Sequence, residues 1–424
     1  MNTLRKTGIP EWFEYYREVC PVCGHRGMCM VNIKDTNKVV CCRVPSDIEW
    51  GKNSALPGWL HFLNGETRKI RISDTLTVAD NPKKNDSYLN RVYRALLNEM
   101  NLREYHLELL KGPTRKMTEN EIKLREYRSF PEKPYEVVKK VIERLGSHED
   151  VVGVPGFYSK EGQYGRYFTL SGFSKSILIP YRNIKNEIVG FQWRVDEVKN
   201  QIVYKKRENG FSAFEKDGKV IVKYHGEKIF EGELQLKKEK RFLINGRLVG
   251  SISLEKGTRY MWLSSANKES GTGAGPLPVH VAVPIKRLEK WKTGEVLTAD
   301  TVTVTEGPLK ADISAELFSK LLKEEEKEKY GEVVLSTAGI NTWRILLPIL
   351  KKMKVKRVNL AFDMDVTTNG EVFHHFKECF QKMLQEGYEV NLFFWEMKEG
   401  KGLDDLLISG LLPIVINGRE LLSR

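Results

Sequence analysis

The stretch from Thr301 to Leu317, TVTVTEGPLKADISAEL, decides the reading of the fold. Val302 and Val304 alternate with threonines at the period of a strand, and Glu306-Gly307-Pro308 breaks that strand at its carboxyl end. Ile313, Leu317 and Leu321 then recur at helical spacing, so the segment opens a strand-turn-helix unit of an α/β fold. Working outward, a second strand is expected over 331–337. A third, over 358–362, runs straight into Asp363-Met364-Asp365, and a fourth, over 390–394, precedes the loop Gly400-Lys401-Gly402-Leu403-Asp404-Asp405. Open parallel sheets collect their chemistry at the carboxyl ends of strands, which is where Glu306, Asp363 and Asp365 all fall.

Each of these acids, taken singly, reads as a helix cap or a turn residue. Three together repel one another, and a divalent cation resolves the conflict. Mg²⁺ (or Mn²⁺) is suited to an open acidic pocket because it takes hard oxygen ligands, commonly one or two carboxylates plus water and substrate phosphates. Such an ion can clamp and activate the oxygens of a phosphoryl transfer.

Five of the six cysteines lie between Cys20 and Cys42. Cys20-Pro-Val-Cys23 on a tight turn aims two thiolates at one point; Cys29 and one of the adjacent pair Cys41 and Cys42 complete the tetrahedron that Zn²⁺ prefers. Neighbours on a strand face opposite sides, so Cys41 and Cys42 do not both contribute, and His25 is a competing ligand. Trp12, Phe13, Tyr15, Tyr16, Trp50 and Trp59 surround the cluster; at least half of them are needed as its small core, and the rest are platforms on which single-stranded bases can stack.

The chain of 424 residues has room for two to four domains, and its formal net charge of +13 contrasts with the acidic pocket. A cationic surface beside an acidic metal site suits a polyanion that is steered in and then processed. No apolar run is long enough to cross a bilayer and the start shows no secretory pattern, so a cytoplasmic protein is expected. Gly271-Thr-Gly-Ala-Gly-Pro276 lacks the Lys-Ser/Thr of a P-loop and reads as a flexible turn, which leaves no ATPase motor.

In chain order, residues 80–86 read as a linker. Helices follow from the stripe Tyr88 to Met100 and over 103–110, 119–125 and 136–145. Ser176 to Arg182 and Ile188 to Arg194 form a hairpin. Between 201 and 253 lies a β insertion with turns at Asp217-Gly218 and Asn245-Gly246, whose runs Lys205-Lys206-Arg207 and Lys237 to Arg241 are either a solvated face or a grip on phosphate.

The ordered series strand-Glu306-Gly, the Ser336-Thr-Ala-Gly339 turn, strand-Asp363-x-Asp365 and Gly-Lys-Gly-Leu-Asp404-Asp resembles the TOPRIM domain of bacterial DnaG-type primases and their phage and plasmid relatives. That resemblance implies a catalytic part for Glu306, metal binding by Asp363 and Asp365, and an outer acid in Asp404. Lys310 stands where the bacterial pattern usually has an acid, with Asp312 two places on, which makes Lys310 a candidate catalytic cation and leaves the number of metals open. Cys41-x-Arg43-Val44 followed by Gly58-Trp-Leu-His-Phe62 resembles the zinc ribbons that precede phage and plasmid primase domains, and favours Cys20, Cys23, Cys29 and Cys41 as ligands. The 176–194 hairpin resembles the template-path hairpin of that family, with Arg194 and, second, Arg182 as its basic residues. The segment from Arg259 to Lys268 resembles a primase segment whose basic residue lies near the active site; Arg259 takes that place, and Lys268 is a further nucleotide-binding candidate.

The implied architecture is an α/β, TOPRIM-type parallel sheet flanked by helices (296–424). It is preceded by a zinc ribbon (1–67), a helical connector (86–150) and a mixed α+β subdomain (151–295) that carries the insertion (201–253). The implied function is DNA primase: metal-dependent synthesis of RNA primers from ribonucleoside triphosphates on a single-stranded DNA template, in phage, plasmid or mobile-element replication, beside a separate helicase and with Mg²⁺ and Zn²⁺ as cofactors. The alternatives are a TOPRIM nuclease and a non-catalytic accessory protein that binds single-stranded DNA.

Overall fold

A computed structural model describes residues 4–7, 9–16, 18–51, 58–63, 81–364 and 370–419. Its organising element is a six-stranded sheet. The central strand Thr301–Glu306 is parallel to Val333–Thr337 on one side and to Arg357–Leu360 on the other, and Glu389–Phe394 runs parallel beyond that. Antiparallel strands close both edges, His280–Ala282 against Val333–Thr337 and Ile414–Asn417 against Glu389–Phe394.

The alternation in the sequence sorts the two faces. Val302, Val304, Val333, Leu335, Val358 and Leu360 bury one face against the helices Leu346–Lys352 and Gly370–Gln385. Val334, Ala361 and Phe393 bury the other against Pro308–Leu321 and Leu403–Ile408. A sheet covered on both faces buries the polar as well as the apolar positions of its strands. On the second face the paired residues Thr303, Asn359 and Asn391 are polar but satisfied: Thr303 and Asn359 both donate to the carbonyl of Tyr330, at 2.9 and 2.8 Å, and Asn391 donates to Asn359 at 2.9 Å.

Upstream, the described helices are Asp86–Asn98, Glu104–Lys111, Glu119–Arg125 and Pro134–Leu145. They start where the sequence signals them: Asn85 caps the first by accepting from Tyr88 N–H, and Pro134 opens the last. The expected linker behaves differently. Lys83 donates to the carbonyls of Ala274 and Pro276 at 2.8 and 2.9 Å, and Lys84 N–H to Gly153. The Gly271–Pro276 stretch, expected to be a flexible turn, is therefore a packed anchor. A side chain at Gly271 would come within 2.0 Å of the Ser265 carbonyl.

The chain divides into two compact units, one of residues 1–193 and 262–424 and one of 194–261. The second contains the expected insertion and is wider than 201–253. It holds two three-stranded antiparallel sheets around Phe211, Val220, Val222, Phe242, Val249 and Ile252. Both of its foreseen tight turns have two left-handed residues, Asp217 and Gly218 at φ 51° and 78° and Asn245 and Gly246 at the same values, the signature of the hairpin turn these dipeptides favour. The expected boundary at 296 is corrected by the edge strand His280–Ala282, which lies before it yet completes the parallel sheet.

The amino-terminal segment is an antiparallel sheet in the order Arg5–Lys6, Trp12–Glu14, Met30–Asn32, Lys38–Cys41, Gly58–Phe62, Glu49–Trp50. Trp12, Phe13, Tyr15 and Trp59 are buried in it and Trp12 meets Trp50 at 4.9 Å, whereas Tyr16 is 47% exposed.

Candidate active site and cysteine centre

Four of the expected residues converge at the carboxyl end of the parallel strands. Glu306 ends the central strand. Gly307 then turns at φ 78°, its N–H donating to Thr337 at 2.9 Å, and Pro308 starts the helix that carries Lys310. Lys310 Nζ donates to Asp363 Oδ1, and Lys401 Nζ lies 3.7 Å from Asp363 Oδ2. The Gly400–Gly402 loop is held over this point by the bond from Met364 N–H to the Lys401 carbonyl, 3.1 Å. Burial works against the charge on Lys310, but Asp363, Asp404 and Glu306 outweigh it and raise its pKa.

Asp404 lies beneath this layer, 1% exposed. Its Oδ2 accepts from Arg115 at 2.7 Å, while Oδ1 is buried with no hydrogen-bond partner among the described residues. Burial raises its pKa against the pull of Lys310 and Arg115. A Cβ on Gly402 would stand 2.7 Å from Asp404 Oδ1 and 3.0 Å from Lys310 Nζ, which explains a glycine at that position of the loop. Asp365 lies outside the described residues.

Asp312, on the helix that carries Lys310, is 2% exposed and does not line the cleft that holds Glu306 and Asp363. It accepts from Arg125, from Tyr127 Oη at 2.5 Å and from His280 Nε2 at 3.2 Å. The helical connector supplies Arg115 and Arg125 as counter-charges to two acids of the sheet domain. No local pattern announces either arginine, because each finds its partner almost two hundred residues or more away.

A cleft of about 390 Å³ opens on the site, lined by Glu306, Asp363, His375 and Lys401 on one side and by Cys42 and Arg43 on the other. His375 was not foreseen. It lies 3.4 Å from Glu378, whose pKa it lowers, and Glu378 is in turn 3.4 Å from Arg344.

In the ribbon, Cys20, Cys23, Cys29 and Cys41 bring their sulfurs within 4.8 Å of one another. Cys41 Sγ accepts from the N–H groups of Arg43 and Val44, at 3.4 and 3.2 Å. The neighbouring Cys20 and Cys29 thiols hold Cys41 well below the ordinary thiol range. Four sulfurs with three of the cysteines fully buried form the donor set of a closed tetrahedral zinc centre. Cys42 turns away and donates to the Met28 carbonyl at 3.1 Å, and His25 is exposed with Nδ1 on the Cys23 carbonyl at 2.8 Å.

The basic candidates are dispersed. Arg182 is 4% exposed and donates to Asn186, Leu124 and Glu126 at 2.9, 3.0 and 2.7 Å, so three of its five N–H donors are engaged within the fold. Lys268 sits over the Tyr158 ring at 4.1 Å. Arg194 and Arg259 belong to the separate β unit; Arg194 is half-buried with Nε unsatisfied, and Arg259 is exposed.

The fold and the site define an α/β protein with an acidic cleft at its parallel strand ends and a four-cysteine ribbon on the cleft wall. No family model and no curated protein matches the chain. Among solved structures it is similar to the zinc-binding and RNA polymerase domains of the Aquifex aeolicus primase, at 12% identity and a TM-score of 0.42, covering 100% of this chain and 85% of that one. It is also similar to the RNA polymerase domain of Mycobacterium tuberculosis primase DnaG (12%, 0.42, 80% and 86%) and to a DnaG primase catalytic domain bound to ssDNA (10%, 0.38, 77% and 82%). At TM-scores below 0.5 these likenesses carry no functional weight. No described helix is long and apolar enough to cross a membrane.

Proposed function

We propose that the chain is a DNA primase with a TOPRIM-type site, joining ribonucleotides on a single-stranded DNA template in phage, plasmid or mobile-element replication, with a separate helicase as partner. The observation that carries this reading is the cleft in which Glu306 and Asp363, at the ends of parallel strands, face the turn of a cysteine ribbon. Carboxylate oxygens in an open cleft suit Mg²⁺ or Mn²⁺, and the residues that would hold it are Glu306 and Asp363, with Asp365. Bound there, the ion would supply the positive charge that a triphosphate needs as it is split.

The chain's own groups divide the remaining work. Lys310 and Lys401 set the charge and orientation of Asp363, and the buried Asp404 helps to keep Lys310 protonated. Arg194, Arg259 and Lys268 are the candidates for template or nucleotide phosphates. The test is incorporation of labelled ribonucleotides on single-stranded DNA with and without Mg²⁺. Template- and metal-dependent products support the reading. Strand cutting without synthesis replaces it with a nuclease, and DNA binding with neither activity replaces it with an accessory protein.

A further inference from the structure

Arg43 belongs to two sites at once. It follows the Cys41-Cys42 pair on the turn that leaves strand Lys38–Cys41, and it is half-buried. Its Nη1 donates to the Gly27 carbonyl at 3.2 Å and to Cys29 Sγ at 3.4 Å, with Cys23 Sγ at 3.8 Å. The same residue lines the cleft opposite Glu306 and Asp363. Its Nη2 has only Met28 Sδ at 4.0 Å as a hydrogen-bonding neighbour among the described residues, and a thioether is a weak acceptor.

A guanidinium is a rigid fork of donors, so fixing one nitrogen on the ribbon also fixes where the other points. Four thiolates around a divalent ion keep a net negative charge, which holds the fork more firmly than neutral thiols do. An arginine anchored in this way has little side-chain freedom left to lose when it binds an anion. The cleft also holds Glu306 and Asp363, the latter already paired with Lys310 and near Lys401, so an anion that arrives with a divalent cation meets acceptors for the cation and Arg43 for its own charge. The volume of about 390 Å³ is within the range of small-ligand pockets and has room for a polyphosphate.

We propose that Arg43 is the phosphate-binding cation of the acidic cleft, gripping the triphosphate of the incoming nucleotide, and that the metal-bound cysteine cluster holds Arg43 in place. The ribbon then contributes a binding residue to the sheet's site in the same chain. This inference rests on the primase reading for the identity of the nucleotide.

The test measures binding of a non-hydrolysable ribonucleoside triphosphate with Mg²⁺, binding of a single-stranded DNA oligonucleotide, and zinc content, for the full-length protein and for Arg43→Ala. We expect about tenfold weaker nucleotide binding, less than twofold change in DNA binding, and zinc retained at one ion per chain. Stripping zinc from the wild type is expected to weaken nucleotide binding by a similar factor and to add nothing in Arg43→Ala. Should Arg43→Ala lose zinc, Arg43→Gln, which keeps a donor for the Gly27 carbonyl without the charge, replaces it with the same expectation. Unchanged nucleotide binding in a zinc-loaded variant overturns the inference, as does weakened DNA binding with nucleotide binding intact, which would put Arg43 on the template path. Equal losses on zinc removal in wild type and variant overturn the holding role. A wild type that binds the triphosphate through Arg43 but never incorporates it refutes the primase reading and leaves this inference standing.

Discussion

Asp312→Asn is the perturbation that tests Asp312 as a structural acid, on the helix that also carries Lys310. Asp312 is buried, and burial raises its pKa, but Arg125, His280 and Tyr127 outweigh that and bring it from 3.8 down to about 2. At about 1.4 kcal/mol per unit, the ionised form is favoured in the folded protein by about 2 kcal/mol. The folded value is depressed, so this contribution is fully present above pH 4 and is lost as pH falls through about 2. Asparagine removes it and also leaves Arg125, itself 2% exposed, without its counter-charge, a total cost of about 3–5 kcal/mol. Urea unfolding followed by circular dichroism at pH 7 and again near pH 2.5 measures both parts. The variant is expected to be weaker by that amount at pH 7, with the gap narrowing in acid, while nucleotide incorporation per folded molecule persists at low temperature. A variant within 1 kcal/mol of wild type at pH 7, or a gap indifferent to acid, refutes the reasoning.

Asp363→Asn removes the carboxylate charge but keeps the shape, and incorporation should fall at least a hundredfold with unfolding changed by less than about 1 kcal/mol; Asp365→Asn is expected to do the same, and normal synthesis by both would end the metal assignment. Lys310→Ala frees Asp363 Oδ1 of its ammonium, so synthesis at low Mg²⁺ should drop about tenfold and recover partly as Mg²⁺ is raised; superimposable Mg²⁺ titrations of wild type and variant would deny Lys310 any catalytic part. Cys23→Ser should release zinc and loosen the ribbon whereas Cys42→Ser keeps one ion per chain, which elemental analysis decides.

The parallel sheet was legible because its strands are short apolar runs that end in Glu306-Gly and Asp363-x-Asp, where local pattern and topology agree. The four-cysteine cluster was legible for the same reason: Cys-x-x-Cys is a local geometry, and the alternation of a strand separates Cys41 from Cys42. What stayed hidden depends on distant partners. Arg182 looks like any basic residue on a strand until Glu126 and Asn186 are seen around it. Arg115 carries no sign that it will meet Asp404, and His375 sits on a helix whose apolar stripe gives no reason to single it out. The edge strand His280–Ala282 was missed because three residues are too few for a period to show.

The β unit leaves the rest of the chain at Trp193 and rejoins it at Trp262, and these two tryptophans touch, Trp193 Nε1 donating to the Trp262 carbonyl at 3.3 Å. Exit and entry are thus a single doorway in the parent sheet. Whatever occupies it can lengthen, shrink or be exchanged for a short turn at little entropic cost, because the ends are already joined by neighbouring strands. Lineages carrying this scaffold are expected to differ most in length at this doorway, and an exchange of the unit for a short turn takes Arg194 and Arg259 away with it.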